Sequence, residues 1–267
     1  MKGRVRMEFV SRTAQAKGHS DLIHQLTVEG GGPFHVGFLF VSSEHQEHVA
    51  AIVQGVSEKI RIENFLVCTC AGVIGSDHEI EKNPAASLFL ANLPDVRCKA
   101  FHLSQSGLED LKTADDYYRT FEVSPKENPV FFLIPDPFQI DLNTFMEGMN
   151  AAYGSAPIVG GLASGSASVN GNVLIVNGQY HSQGMIGLVM SGNIKIDAIV
   201  SQGCKPIGDN YIVTRAEKNI IHEVAGQSFL DILRQVFSKL DETERQLMQQ
   251  ALLVGIAMDE YKHEFAR

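Results

Sequence analysis

The chain has 267 residues, 44% hydrophobic and 20% charged, which suits one large or two ordinary folded domains and excludes a wholly disordered protein. Twenty-two lysines and arginines against 31 aspartates and glutamates leave a net charge of −9, which opposes nucleic-acid binding when no basic cluster is present. The longest apolar run, Ala251 to Met258, is too short to span a bilayer, Met1 to Val10 lacks the following apolar stretch of a signal peptide, and four scattered cysteines suit a reducing, cytoplasmic compartment.

Met7 to Ser11 has a strand pattern and leads into a helix-like stretch from Thr13 to Leu26, which Gly30-Gly31-Gly32-Pro33 breaks. The continuous apolar run Val36 to Val41 predicts a strand buried on both faces. Ser42-Ser43-Glu44 then offers a helix cap, and Val49, Ile52, Val53, Val56 and Ile60 recur at helical spacing. Phe65 to Cys68 predicts a second buried strand, ending in the loop Thr69 to Ser76. The same order returns with a strand from Val130 to Ile134, the turn Pro135-Asp136-Pro137, a helix from Leu142 to Tyr153, and a short strand at Ile158-Val159 entering Gly160 to Ser166.

Further strands are expected at Ala86–Ala91, Arg97–Leu103, Val173–Val176, Gly184–Met190 and Ile194–Val200, with turns at Asn170-Gly171, Asn177-Gly178 and Ser191-Gly192-Asn193. The fold class is therefore α/β, with mixed sheets built from an internal duplication of a β-α-β module, each copy continuing into antiparallel strands. Two unrelated β-α-β units in one chain are the alternative. Beyond Val200 come the loop Gln202 to Gly208, strands at Tyr211–Thr214 and Ile220–Val224, a helix capped by Ser228, and a second helix opened by Asp241 and Glu244.

Parallel strands bind ligands at their carboxyl ends. Those ends carry Ser42 and Ser43 with Cys70 to Gly72 in the first unit, and Asp136 with Gly160 to Gly165 in the second. Both glycine loops are expected at one cleft.

Three segments together resemble the FIST family, the F-box and intracellular signal transduction proteins. Cys68-Thr69-Cys70-Ala71-Gly72-Val73-Ile74-Gly75 is similar to the family's Cys-Ser-Thr-Ala-Gly loop, and Val159-Gly160-Gly161-Leu162-Ala163-Ser164 to its Gly-Gly loop. Gly203 to Gly208, with Val213-Thr214 and Asn219 to Ile221, resembles the join to its C-terminal domain. Val67 and Cys70 stand where the family usually has glycine and threonine. The resemblance implies a ligand-binding domain over residues 1–223 and the start of a C-terminal domain, truncated, over 224–267. It implies a signal-transduction sensor of small ligands, with amino acids as the ligand class, reporting to a partner protein or domain.

The chemistry of the loops is compatible with that class. Backbone N–H groups after a strand can hold a carboxylate, and neither loop carries the lysine of a P-loop nor the G-x-G-x-x-G of a dinucleotide fold. A carboxylate held by these donors and by Thr69 or Ser164, with an ammonium met by Asp136 or Asp77, describes a zwitterion. The expected ligand-binding set is thus Ser42, Ser43, Thr69, Cys70, Ala71, Gly72, Asp77, Asp136, Gly160, Gly161, Ser164 and Gly165, with no cofactor, metal, nucleic acid or membrane. The alternatives are tight structural turns, a hydrolase or transferase using Cys204, Cys70 or Ser164 as nucleophile, and a protein-binding scaffold. Cys204 reads as part of a structural turn, and Cys68 and Cys70 as small buried residues. His45 and His48 read as a solvated first turn, and His78 beside Asp77 as a surface turn.

Overall fold

The structure is a computed structural model that describes residues 7–27, 32–75, 77–199, 206–217 and 220–255. The expected features at Gly30 and Gly31, Ser76, Val200, Cys204 with the rest of 201–205, and Asn219 lie outside these residues. The chain divides into two compact units, Met1–Ile199 and Val200–Arg267. Among the described residues, no helix is long and apolar enough to cross a membrane.

The first half of the larger unit runs through β1 (Glu8–Gln15), α1 (His19–Leu26), β2 (Phe34–Ser42), α2 (Val49–Lys59) and β3 (Ile62–Cys70). A hairpin of β4 (Gly72–Ile74) and β5 (Glu79–Glu81) follows, and then β6 (Ala85–Asn92). The second half begins with β7 (Val96–Leu103), α3 (Gln105–Glu109), α4 (Ala114–Phe121), β8 (Val130–Pro135), α5 (Leu142–Tyr153) and β9 (Ile158–Gly160). It ends with a hairpin of β10 (Leu174–Val176) and β11 (Gln179–His181), and then β12 (Met185–Gly192).

Both expected β-α-β units are present, since β2 pairs in parallel with β3 and β8 in parallel with β9. In each half the last strand returns antiparallel beside the first parallel strand, giving the orders β1-β6-β2-β3 and β7-β12-β8-β9. The hairpins depart from this correspondence. The second half's β10 and β11 extend the first sheet beside β3, whereas β4 and β5 pair only with each other. The mixed α/β fold expected from sequence is what the chain adopts.

Alternation along the strands sorts their side chains into three cores. Leu39 and Val41 of β2, with Val67 of β3, pack under Leu22, Ile52 and Val56 of α1 and α2. On the opposite face Val36 and Phe38, with Leu66 and Cys68, meet Ile134 of β8 and Ile186 and Leu188 of β12. The far side of the second sheet places Phe131 and Leu133 against Phe121, Phe145 and Met149 of α4 and α5. The unit is therefore a four-layer stack of helices, sheet, sheet and helices, with its central core between the sheets.

Three expected boundaries are corrected. Thr13 to Gln15 continue β1 instead of opening a helix, because their backbones pair with Ala85 to Ser87. Residues 72–74 and 79–81 form a hairpin instead of continuing the loop. Ile194 to Ile199 form no strand, and Ile194 and Ile196 pack as single side chains on the central core.

The smaller unit contains β13 (Val213–Glu217), β14 (Ile220–Val224) and β15 (Gln227–Ser228) in an antiparallel sheet. The helix α6 (Phe229–Lys239) buries Ile232 and Val236 with Val224. Next comes α7 (Glu242–Ala251), where Asp241 and Glu244 form the expected capping box. Position 223/224 falls within β14.

Candidate functional site

The loops after β3 and β9 meet. The Ala71 N–H donates to Ser164 Oγ at 3.2 Å, and a Cβ on Gly165 would stand 2.5 Å from Thr69 Cβ. Only a residue without a side chain permits that approach. The contact follows from topology, since both loops leave the carboxyl ends of parallel pairs in stacked sheets.

Beside this junction is an open cavity of about 270 Å³ between the sheets, lined by Phe40, Cys68, Cys70, Phe132, Ile134, Gly160, Gly161 and Leu162. Of the expected ligand set, Cys70, Gly160 and Gly161 lie on its wall. Thr69, Ala71, Ser164 and Gly165 form the loop junction next to it. Gly72 opens the β4–β5 hairpin, and its N–H faces the Cys70 sulfur.

The remaining expected residues are engaged elsewhere. Ser42 is fully buried and its Oγ accepts from the Ala85 N–H at 2.9 Å, so it ties β2 to the start of β6 instead of capping a helix. Ser43 opens a short 3-10 helix, Ser43–His48. Asp136, expected to meet an ammonium, is fully buried. Its Oδ1 accepts from the Phe138 N–H at 2.8 Å and its Oδ2 from Asn172 Nδ2 at 3.0 Å. Asp77 is exposed and holds the His78 ring at 2.5 Å, away from the cavity lining. Thr69 is also committed, since its Oγ1 accepts from the Val173 N–H at 3.0 Å.

His45 is corrected from a solvated position to a buried one. It is 1% exposed, and its Nε2 bonds the Ala16 carbonyl at 2.8 Å, pinning the 3-10 helix to the end of β1. Among the described residues, no group of histidine, cysteine and acid side chains is arranged to hold a metal ion.

The cavity thiols are not poised as nucleophiles. Burial pushes Cys70 up to about 12, with the charge of Glu44 adding to it, and burial beside Cys70 raises Cys68 further. A thiol that stays protonated is a poor nucleophile. Cys70 instead donates to the Val41 carbonyl at 3.4 Å. Among the described residues, no histidine hydrogen-bonds Cys70 or Ser164.

Phe40, Phe132, Ile134 and Leu162 were missed as site residues. The signal was strand parity: Phe40 is two residues before Ser42, Cys68 two before Cys70, and Phe132 two before Ile134, so each pair shares a face.

A family model, the FIST N domain, matches residues 35–227. The chain is also similar to an uncharacterized protein of Mycobacterium tuberculosis, 28% identical over 233 residues, covering 86% of this chain and 58% of that protein. An uncharacterized protein of Mycobacterium bovis is 29% identical over 225 residues, covering 84% of this chain and 56% of its own length. The chain thus spans little more than half the length of these curated relatives. The matched region contains both parallel strand pairs apart from Phe34, both glycine loops and every residue lining the cavity, and on that match the chain belongs to the FIST family.

Proposed function

We propose that this chain is a small-ligand-binding module of intracellular signal transduction, whose ligand is an amino acid or a related small carboxylate. One observation carries the reading: the two glycine loops converge on a single open cavity between the sheets. The FIST domain is associated with signal transduction and small-ligand sensing, and an open cavity beside both loops supports that reading. Among the described residues, the backbone N–H groups of Leu162, Ser164 and Gly165 donate to no acceptor of the chain, so they are free to receive a carboxylate. Cys70, Gly160 and Gly161 would touch the ligand, and Thr69, Ala71, Gly72, Ser164 and Gly165 would shape the mouth. Ser42 and Asp136 would act at a distance, through the strand ends they fix, and Ser43 and Asp77 belong to the wider set proposed from the sequence.

A cytoplasmic setting is supported by Cys68, Cys70 and Cys98, which are all free thiols. The shared element order of the two halves supports an internal duplication. The division into a ligand-binding part, 1–223, and the start of a C-terminal part, 224–267, rests on sequence resemblance, and the partner that receives the signal is a further protein or domain.

A thermal-shift panel tests the reading, because a ligand that binds only the folded state raises its melting temperature by mass action. Amino acids or small carboxylates are expected to raise it, and ATP and NAD are not. A shift with nucleotides and none with any carboxylate would overturn the proposal.

A further inference from the structure

We infer that the cavity selects carboxylates that carry an aromatic ring and rejects those whose side group is charged. This rests on the ligand-binding reading above and narrows its ligand class. The side chains on the wall are Phe40, Phe132, Ile134, Leu162, Cys68 and Cys70, and the rest is glycine backbone. None is charged, and both thiols hold their protons at neutral pH. Glu44, whose charge is felt at Cys70, is exposed and does not line the cavity. A carboxylate, ammonium or guanidinium side group entering here would lose its water without finding a partner, which favours exclusion.

The aromatic preference comes from the rings. Phe38, buried in the core between the sheets, stands 4.4 Å from Phe132 with the ring planes tilted by 50°. It also stands 6.5 Å from Phe40, with those planes 6° apart. Both lining rings thus neighbour the same buried ring, and a ligand ring entering beside them would meet aromatic faces and edges, the geometry in which aromatic groups gain beyond burial alone. A space of about 270 Å³ suits one ring or a fused pair. The carboxylate would stay at the mouth, on the free N–H groups of the Leu162 to Gly165 loop.

The test is calorimetric titration of the full chain with phenylpyruvate, indole-3-acetate and phenylalanine, against isovalerate, glutamate, aspartate and arginine. Ring-bearing carboxylates are expected to bind most tightly and the charged-side-group compounds not at all. Leu162→Asp, at a position 54% exposed, should leave the melting temperature of the free protein unchanged and weaken ring binding by about tenfold or more. Glutamate, aspartate or arginine binding as tightly as phenylpyruvate would overturn the inference while leaving the binding module intact. Equal affinity for isovalerate, or ring binding unchanged in Leu162→Asp, would overturn it too. If no carboxylate in the panel binds, the proposed function itself fails.

Discussion

Adjacent glycines at the cavity wall answer to different demands. Gly160 has φ +146°, and a Cβ there would overlap the Leu133 carbonyl oxygen, whereas a Cβ on Gly161 would meet nothing within 4 Å. Gly160→Ala is therefore expected to cost about 3 kcal/mol or more in chemical denaturation, through backbone strain and displacement of β8. Gly161→Val should leave stability nearly unchanged and obstruct the cavity, so that any ligand shift is lost. The double glycine is conspicuous in the sequence, but which member serves the backbone and which leaves open space depends on β8, a strand that ends about 25 residues earlier.

The cysteines give a second residue-level expectation. Burial holds Cys70 at about 12 and Cys98 at about 11, so peptide-resolved alkylation of the native protein near neutral pH should be slow at both relative to the unfolded chain. His181 gives a third. It stacks on His102 at 3.6 Å, and desolvation together with the neighbouring His102 lowers its affinity for a proton below the ordinary 6.5. The unfolded chain then binds a proton more readily than the folded one. Stability from this group is complete above pH 6.5 and is lost as pH falls through the lowered value. Denaturation midpoints should decline less steeply in His181→Phe than in the wild type over that acidic range.

At the scale of elements, the segment after β9 is held by a buried polar relay. Asn172 accepts from the Ser166 N–H at 2.9 Å through its Oδ1 and donates through its Nδ2 to Asp136 at 3.0 Å. Asp136 also accepts from the Phe138 N–H at 2.8 Å. Asp136→Asn introduces an amide NH₂ where two acceptor oxygens are needed. Keeping the Phe138 bond sets that NH₂ against the Asn172 NH₂, and flipping Asn172 abandons Ser166. A loss of about 2 to 3 kcal/mol follows, since a buried donor or acceptor is left unpaired. Urea denaturation checks it, and an unchanged midpoint would show that the relay does not hold the loop.

Elements that announce themselves by local periodicity were legible, and those defined by distant partners were not. Leu142 to Tyr153 was expected as a helix with the observed bounds of α5, because Phe145, Met149 and Ala152 carry a clear 3.6-residue repeat. The helix α4 is hard to read from sequence because only Tyr117 and Phe121 mark its buried face, although its Thr113 and Asp116 capping box is a usable signal. Ile194 to Ile199 alternates like a strand, but alternation cannot supply an edge to pair with. Asp136 was misassigned for the same reason: a carboxylate at a strand end resembles a ligand contact until Phe138 and Asn172 are seen to occupy it.

For the whole molecule, the distribution of buried apolar side chains decides which part folds as a unit. Among the described residues, the three large cores of the stacked sheets and helices, and the small cluster around Cys70, Val73, Ile80 and Ala85, are built from residues before position 200. The cluster of Val224, Ile232 and Val236 is built, among the described residues, from residues after it. Every residue lining the cavity also precedes that position. Hydrophobic burial is the main term opposing chain entropy, and its cooperativity follows the continuity of packed cores. A chain ending at Ile199 should therefore unfold in one cooperative transition by circular dichroism, and any ligand that stabilises the full chain should stabilise it too. A broad, non-cooperative melt would show that residues 200–267 are required for the stacked sheets to fold. A sharp melt without ligand stabilisation would place part of the binding site beyond the cavity.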